Sequence, residues 1–132
     1  MEIRVIVAGG RDFNDKYLME DNLMEWILDT YLKNLHIDEK VVLEFITGKA
    51  RGADTLGEKF AKEHGYKVKE FPADWNRYGK SAGYIRNKQM AEYAAESNHG
   101  VLFAFWDGKS KGTKSMIDLA TKYGLEVNII NY

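Results

Sequence analysis

The stretch VVLEFITGKARGAD, residues 41–54, decides how this sequence folds. It opens with an apolar run rich in β-branched residues, which predicts a strand buried on both faces. The chain then passes through GKARG, which combines two glycines with two cations, and Asp54 follows at the start of an amphipathic segment. A buried strand that leads through a glycine-rich turn into a helix is typical of a parallel α/β sheet.

Two more segments repeat this pattern. IRVIVA (residues 3–8) leads into GGRDF, and VLFAFW (residues 101–106), the most apolar run, leads into DGKSKGT. We predict that VLFAFW is central in the sheet and that the alternating YKVKEF (residues 66–71) is an edge strand. LEVNII (residues 125–130) is predicted as the last strand, and residues 73–83 as a polar loop. Helices are predicted over residues 15–35, 53–64, 83–96 and 113–123, the first burying Met24, Ile27, Leu28, Tyr31 and Leu35.

Strict alternation of strands and helices predicts one Rossmann-like domain over residues 1–132. Its fold class is α/β: a doubly wound parallel sheet of about five strands with helices on both faces. The strand order 3-2-1-4-5 would bring the three glycine-rich loops to one continuous rim at the carboxyl edge, where such sheets bind ligands. The flavodoxin-like order 2-1-3-4-5 would separate one loop, so the glycines favour the first order.

Composition narrows the classes of function. The chain has 132 residues, 45 % of them apolar, a formal net charge of −1 and no cysteine. Disulfides and cysteine-based zinc sites are therefore excluded, and the three separated histidines, His36, His64 and His99, lack metal-ligand spacing, so no metal is expected. Near-neutral charge argues against a dedicated nucleic-acid binder. Without a long apolar stretch or a signal-peptide pattern, we expect a soluble cytoplasmic protein and no membrane partner.

The three loops have the chemistry of an anion site. Glycine lets backbone N–H groups approach a phosphate, and helix N-termini favour negative charge. Five cations could bind phosphate oxygens: Arg11, Lys49, Arg51, Lys109 and Lys111. Asp12, Asp54 and Asp107 suit ribose hydroxyls, a base edge or the orientation of neighbouring arginines. Neither G-x-G-x-x-G nor the Walker motif is present, so a P-loop ATPase is rejected.

Several of these residues have simpler alternative roles. Asp54 and Thr113 are placed to cap the helices that follow them, and Gly9 and Gly10 could serve only a tight turn. Trp75 and Tyr78 could stack on a base or cover one end of the core. Arg86 and Asn87 could face the rim or solvent.

Taken together, GGRDF, TGKARGAD, PADWNRYGKSAGYIRNKQM and WDGKSKGT resemble the YspA-like branch of the SLOG superfamily, which includes DprA and the LOG phosphoribohydrolases. The resemblance runs from Ile3 to about Ala120. It implies a Rossmann-like fold and a nucleotide or nucleotide-derived ligand, and we assign no cofactor beyond that ligand. It also implies a role in sensing or sequestering nucleotide signals, because such domains recur in phage genomes and conflict systems. The residues that match the family motifs are Gly9, Gly10, Arg11, Gly48, Arg51, Gly52, Ala53, Asp54, Trp75, Gly83, Arg86, Asn87, Gly108, Gly112 and Thr113.

Loops and resemblance together predict binding of a nucleotide or a derivative such as an ADP-ribose-like, NAD-derived or cyclic molecule. The predicted binding residues are Gly9, Gly10, Arg11, Asp12, Thr47, Gly48, Lys49, Arg51, Gly52, Ala53, Asp54, Trp75, Tyr78, Arg86, Asn87, Asp107, Gly108, Lys109, Ser110, Lys111, Gly112 and Thr113.

Two other functions stay open. One is a phosphoribohydrolase-like N-glycosidase, although Met116 occupies the position of the LOG catalytic glutamate; Asp12, Asp54 and Asp107 are then the candidate carboxylates. The other is DprA-like binding of single-stranded nucleic acid. We also expect a homo-oligomer, because the first helix carries additional apolar residues, Tyr17, Leu18, Leu23 and Trp26.

Overall fold

A computed structural model describes residues 1–36 and 40–132 of the chain. In this part of the chain, five parallel strands form one sheet in the order β3-β2-β1-β4-β5, as predicted. The strands are β1 (Glu2–Gly9), β2 (Val42–Thr47), β3 (Lys67–Glu70), β4 (His99–Trp106) and β5 (Glu126–Asn131). The helices are α1 (Lys16–Lys33), α2 (Ala53–Glu63), α3 (Trp75–Tyr78), α4 (Ala82–Ala95) and α5 (Lys111–Lys122), with a 3₁₀ turn at Gly79–Ser81.

The middle of the sheet is β1, which pairs with β2 on one side and β4 on the other. Val5, for example, lies between Phe45 and Val101. We predicted that VLFAFW is the central strand. The strand it forms, β4, is an interior strand, but the central position belongs to β1. YKVKEF is the edge strand expected, since β3 pairs with β2 alone among the described strands.

Helices cover both faces of the sheet. One core cluster joins β1, β2 and β4 to α1 and α2, and includes Leu23, Phe45 and Phe60. The other joins the opposite sheet face to α4 and α5, and includes Met90, Leu102 and Met116. Within the described ranges, no helix is both long and apolar enough to span a bilayer.

The buried side of α1 differs from the prediction. Met19, Leu23, Ile27 and Thr30 face the core, whereas Leu28 and Leu35 are exposed. The helix carries apolar residues along more than one line at helical spacing, so periodicity alone did not identify the inner line. Leu23 and Trp26, which we expected to be available for pairing, are also engaged, because Leu23 is fully buried and Trp26 packs edge-on against Phe103.

The predicted polar loop over residues 73–83 is wrong. This segment contains α3, the 3₁₀ turn and the start of α4. The Asp74 side chain caps α3 by accepting a hydrogen bond from the Arg77 N–H. A helix of four residues is too short to show a hydrophobic period, which is why the sequence pattern does not reveal it.

Close backbone contacts join the loop after β1 to the start of α2 and to the end of β4. The Gly10 carbonyl accepts hydrogen bonds from the Phe13 and Ala53 N–H groups, and the Gly10 N–H donates to the Phe105 carbonyl. Gly52 lies over this junction with a φ of 79°, and a Cβ at that position would overlap the Gly10 carbonyl oxygen. Glycine at position 52 therefore lets two loops touch.

We predict that Gly52→Ala lowers the free energy of unfolding by at least about 2 kcal/mol, because it adds left-handed strain to a steric clash. Gly112→Ala is the matched control. Gly112 is in the first turn of α5 with open space around its Cβ direction, so alanine there should leave stability unchanged or raise it by up to about 1 kcal/mol. Urea unfolding of both variants measures the difference, and equal losses would contradict this account.

Candidate functional site

A cleft of about 880 Å³ opens at the carboxyl edge of the sheet. Its walls come from the loops after β1, β2 and β4 and from the segment that spans α3 and the start of α4. The lining residues are Ala8, Gly9, Gly10, Arg11, Asp12, Ala50, Arg51, Asp54, Trp75, Lys80, Gly83, Tyr84, Arg86, Asn87, Met90, Asp107, Ser110, Lys111, Gly112, Thr113, Ser115 and Met116.

Five cationic side chains line this cleft: Arg11, Arg51, Lys80, Arg86 and Lys111. They come from four separate segments, so only the folded chain brings them together. Three carboxylates line it as well, Asp12, Asp54 and Asp107. The cleft therefore has an excess of positive charge although the chain as a whole is nearly neutral.

Arg86 and Asn87 tie α4 to the neighbouring loops. The Arg86 guanidinium donates to the Gly48 carbonyl through Nη1 and to the Asn87 side-chain oxygen through Nε. The Asn87 amide in turn donates to the Gly112 carbonyl at 3.4 Å. Of the two positions considered for this pair, rim or solvent, both side chains lie at the rim.

Asp54 is the buried carboxyl of the site, with only 5 % of the residue exposed. Its Oδ2 accepts a hydrogen bond from the Ala50 N–H at 3.3 Å, so it orders the loop after β2. Burial raises the pKa of Asp54 to about 6, and the nearby Arg86 guanidinium opposes that rise. Asp54 is not the helix cap, because Gly52 occupies the N-cap position of α2.

The other two carboxylates are held by local hydrogen bonds. Asp107 Oδ1 accepts from the N–H groups of Lys109 and Ser110, both at 2.8 Å, which lowers the pKa of Asp107. Asp12 Oδ1 accepts from the Tyr132 hydroxyl at 2.6 Å. In residues 1–36 and 40–132, no group of three or more histidine, aspartate and glutamate side chains is placed to hold a metal ion.

Eight of the predicted binding residues do not line the cleft. Lys49 is held elsewhere by Glu58 and Glu70, at 2.9 and 3.4 Å from its Nζ. The hydroxyl of Thr47 donates to the Asp54 carbonyl in the first turn of α2 and accepts from the Lys49 N–H. Thr113 does line the cleft, but the cap of α5 is Ser110, whose Oγ accepts from the Thr113 N–H. The residues outside the lining are Thr47, Gly48, Lys49, Gly52, Ala53, Tyr78, Gly108 and Lys109.

Sequence reasoning missed other lining residues. Lys80 and Tyr84 belong to the segment predicted in part as a loop, and the exposed Tyr84 ring lies one residue after Gly83 in α4. The signal that could have found them is PADWNRYGKSAGYIRN itself, read as a helical wall of the site. The remaining lining residues outside the predicted binding set are Gly83, which we named only as a motif residue, and Ala8, Ala50, Met90, Ser115 and Met116.

We predict that Asp54 makes folding less favourable as pH rises from about 4 to 7. Between its ordinary pKa of 3.8 and its folded pKa of about 6, the folded state holds the proton more tightly than the unfolded state. Stability from this group is therefore present at acid pH and lost as pH rises through 6. Relative to Asp54→Asn, the wild type should lose on the order of 3 kcal/mol across this range. Urea unfolding of both proteins at several pH values measures it.

Asp107→Asn is the control with the opposite sign. The lowered pKa of Asp107 means that its contribution is present above the unfolded pKa and is lost as pH falls. A wild type whose stability relative to Asp54→Asn rises with pH would contradict the assignment of Asp54.

Known proteins similar to this chain match the segments that form the sheet and its glycine-rich loops. Residues 3–78, which include β1, the loop after β2 and Trp75, match the YspA, cpYpsA-related SLOG family. The chain is also 32 % identical over 129 residues to the Gene 61 protein of Mycobacterium phage D29, covering 94 % of this chain and 93 % of that protein. No solved structure matches. With a family match over more than half of its length and a relative that aligns almost end to end, the chain belongs to the YspA, cpYpsA-related SLOG family.

Proposed function

We propose that the protein binds a nucleotide or a nucleotide-derived molecule in the carboxyl-edge cleft, as a sensor or sequestering module. The observation that carries this proposal is the combination of five cations with exposed aromatic rings in one cleft. Phosphate oxygens are suited to the cations, and a planar base is suited to the rings. The volume also fits, since small-molecule sites usually measure roughly 300–1,000 Å³.

Gly112 marks where phosphate can approach the backbone. Unlike Gly9 and Gly52, whose missing side chains make room for neighbouring backbone, Gly112 faces open space in the cleft. It is also in the first turn of α5, where unpaired N–H groups and the helix dipole favour an anion. Lys111 adds a cation at the same place.

Trp75 is the side chain we assign to the base. It is 51 % exposed, begins α3 and lines the cleft. Gly83 lies beside its ring, since a Cβ at position 83 would stand 3.6 Å from Trp75 Cη2. A large indole left half exposed at a cleft has apolar surface to offer a ligand. Tyr84 supplies a second exposed ring on the same wall.

The direct test is calorimetric and thermal-shift titration against ADP-ribose, NAD, AMP, cyclic AMP and pyrophosphate. A ligand that binds only the native state must raise the melting temperature. No shift with any of these at millimolar concentration would count against nucleotide binding. A single-stranded oligonucleotide belongs in the same panel, and binding to it that weakens steeply with salt would favour the DprA-like alternative.

We predict that Trp75→Ala weakens nucleotide binding about tenfold or more and leaves pyrophosphate binding unchanged, because stacking contributes about 1–3 kcal/mol per base. Tyr78→Ala is the matched control, since Tyr78 is on the same short helix, is 36 % exposed and does not line the cleft. Equal losses in both variants, or a parallel loss of pyrophosphate, would show that Trp75 supports the structure rather than the base.

We also predict that the protein does not release base from AMP, CMP or NAD at an enzymatic rate. Met116 lines the cleft where the resemblance to LOG enzymes expects glutamate, and a thioether cannot transfer a proton or stabilise an oxocarbenium-like charge as a carboxylate does. Chromatography of the incubated nucleotides measures free base. Rapid release that disappears in Asp54→Asn or Asp12→Asn would make that aspartate catalytic.

The proposal extends to the setting of the protein. We also propose that the protein acts in the cytoplasm, where a nucleotide ligand would be available to it. The phage relative fits a role in conflict between phage and host. We also propose that the chain forms a homo-oligomer, because α1 exposes several large apolar side chains.

A further inference from the structure

Exposed apolar side chains are concentrated on α1 and the turn after it. Tyr17, Leu28, Leu32 and Leu35 are each more than half exposed, and Tyr31 is just over one third exposed. Across the rest of the described chain, the large exposed apolar residues are scattered singly or lie in the cleft. A single exposed leucine is normal on a protein surface, but several large apolar side chains exposed on one helix indicate an interaction surface.

Most of these residues lie along one side of α1, as their spacing in the sequence shows. Steps of four and three alternate from Tyr17 through Asp21, Met24, Leu28 and Tyr31 to Leu35, which follows the helix in a turn. We call these six residues the α1 seam. An average spacing of 3.5 residues is the period of a helix that packs lengthwise against another helix.

The α1 seam is distinct from the side of α1 that faces the sheet. The core residues Met19, Leu23, Ile27 and Thr30 form a separate line, and of the seam only Met24 packs partly against the core. The fold therefore buries one line of α1 and leaves most of the other exposed to solvent. The exceptions among the described residues are Met24, which packs partly against the core, and Tyr31, whose side chain hydrogen-bonds with Tyr66.

We propose that the α1 seam of a second copy packs antiparallel against this one, which rests on the homo-oligomer proposed above. In the antiparallel register that overlaps the full seam, Tyr17 faces Leu35 of the second copy, Met24 faces Leu28, and Asp21 faces Tyr31. The single carboxylate thus meets a phenol hydroxyl that can donate a hydrogen bond to it. A parallel register would instead place Asp21 against Asp21, where like charges repel.

The pairing is compatible with ligand binding. None of the six seam residues lines the carboxyl-edge cleft. Two copies joined through α1 therefore keep both clefts open. Self-association and nucleotide binding can then be tested independently.

Engineered disulfides test the register directly, because the chain has no cysteine of its own. Tyr17 and Lys33, the last residue of α1, are about 24 Å apart along the helix at 1.5 Å per residue, and Leu35 follows in the turn. Cysteines at positions 17 and 35 therefore cannot bridge within one chain. We expect Tyr17→Cys/Leu35→Cys to give a crosslinked dimer on mild oxidation, and each single variant to give little. Efficient crosslinking of Tyr17→Cys alone would indicate a parallel pair and overturn the proposal.

Charge substitutions test the surface. Leu28→Lys should raise the dimer dissociation constant about tenfold or more, measured by sedimentation, since it buries a charge in the seam. Ile129→Lys, a similarly exposed apolar residue on the edge strand β5, should leave the constant unchanged. A dimer disrupted by Ile129→Lys and retained in Leu28→Lys would place the interface at β5 instead.

The two proposals fail separately. A wild-type chain that sediments as a monomer at high micromolar concentration would remove self-association and leave nucleotide binding intact. Leu28→Lys should bind nucleotide as the wild type does, and a monomeric variant with normal binding is the result that supports both.

Discussion

The Gly10 peptide is the junction on which the site depends. Its carbonyl accepts from Phe13 and Ala53, and its N–H donates to Phe105, so one residue connects the ends of β1 and β4 to the start of α2. These bonds satisfy backbone groups that would otherwise be buried without partners. Because only glycine at position 52 permits the approach, the loops are held at a fixed separation before any ligand arrives.

The same junction explains how a nearly neutral chain can have a cationic cleft. Arg11 and Arg51 belong to loops that the Gly10 peptide joins, while Arg86 is fixed by its bond to Gly48 and Lys111 by the start of α5. The carboxylates beside them are already engaged: Asp107 by backbone N–H groups, Asp12 by Tyr132, and Asp54 by Ala50 and by burial that favours its neutral form. Five cations against three carboxylates still leave the cleft net positive, and this positive charge is available to a ligand.

Sequence patterns predicted the parts of this arrangement that depend on local chemistry. Apolar runs that end in glycine favoured the strand order 3-2-1-4-5 over 2-1-3-4-5, because the first order brings three such loops to one rim, and the sheet has that order. Patterns could not separate glycines that admit a neighbouring loop, such as Gly52, from one that faces the cleft, such as Gly112. The sequence predicted the same phosphate-binding role for Lys49 and Arg51, but in the fold Lys49 forms ion pairs with Glu58 and Glu70. These distinctions are long-range, and no local spacing encodes them.

The first helix shows the same limit of local sequence patterns, because its spacing does not tell which apolar side faces the core. Two apolar lines on one helix are ambiguous when only one core is considered. Of the five residues that periodicity predicted to be buried, Ile27 is buried and Met24 partly so, whereas Leu28, Tyr31 and Leu35 are exposed. The structure shows that the core uses the line through Leu23 and leaves the line through Leu28 outside. If both lines are retained for packing, the second needs a partner as long as the helix itself. A second α1, reversed, supplies the same length and the same period, and it gives the one carboxylate of the seam a donor rather than a like charge.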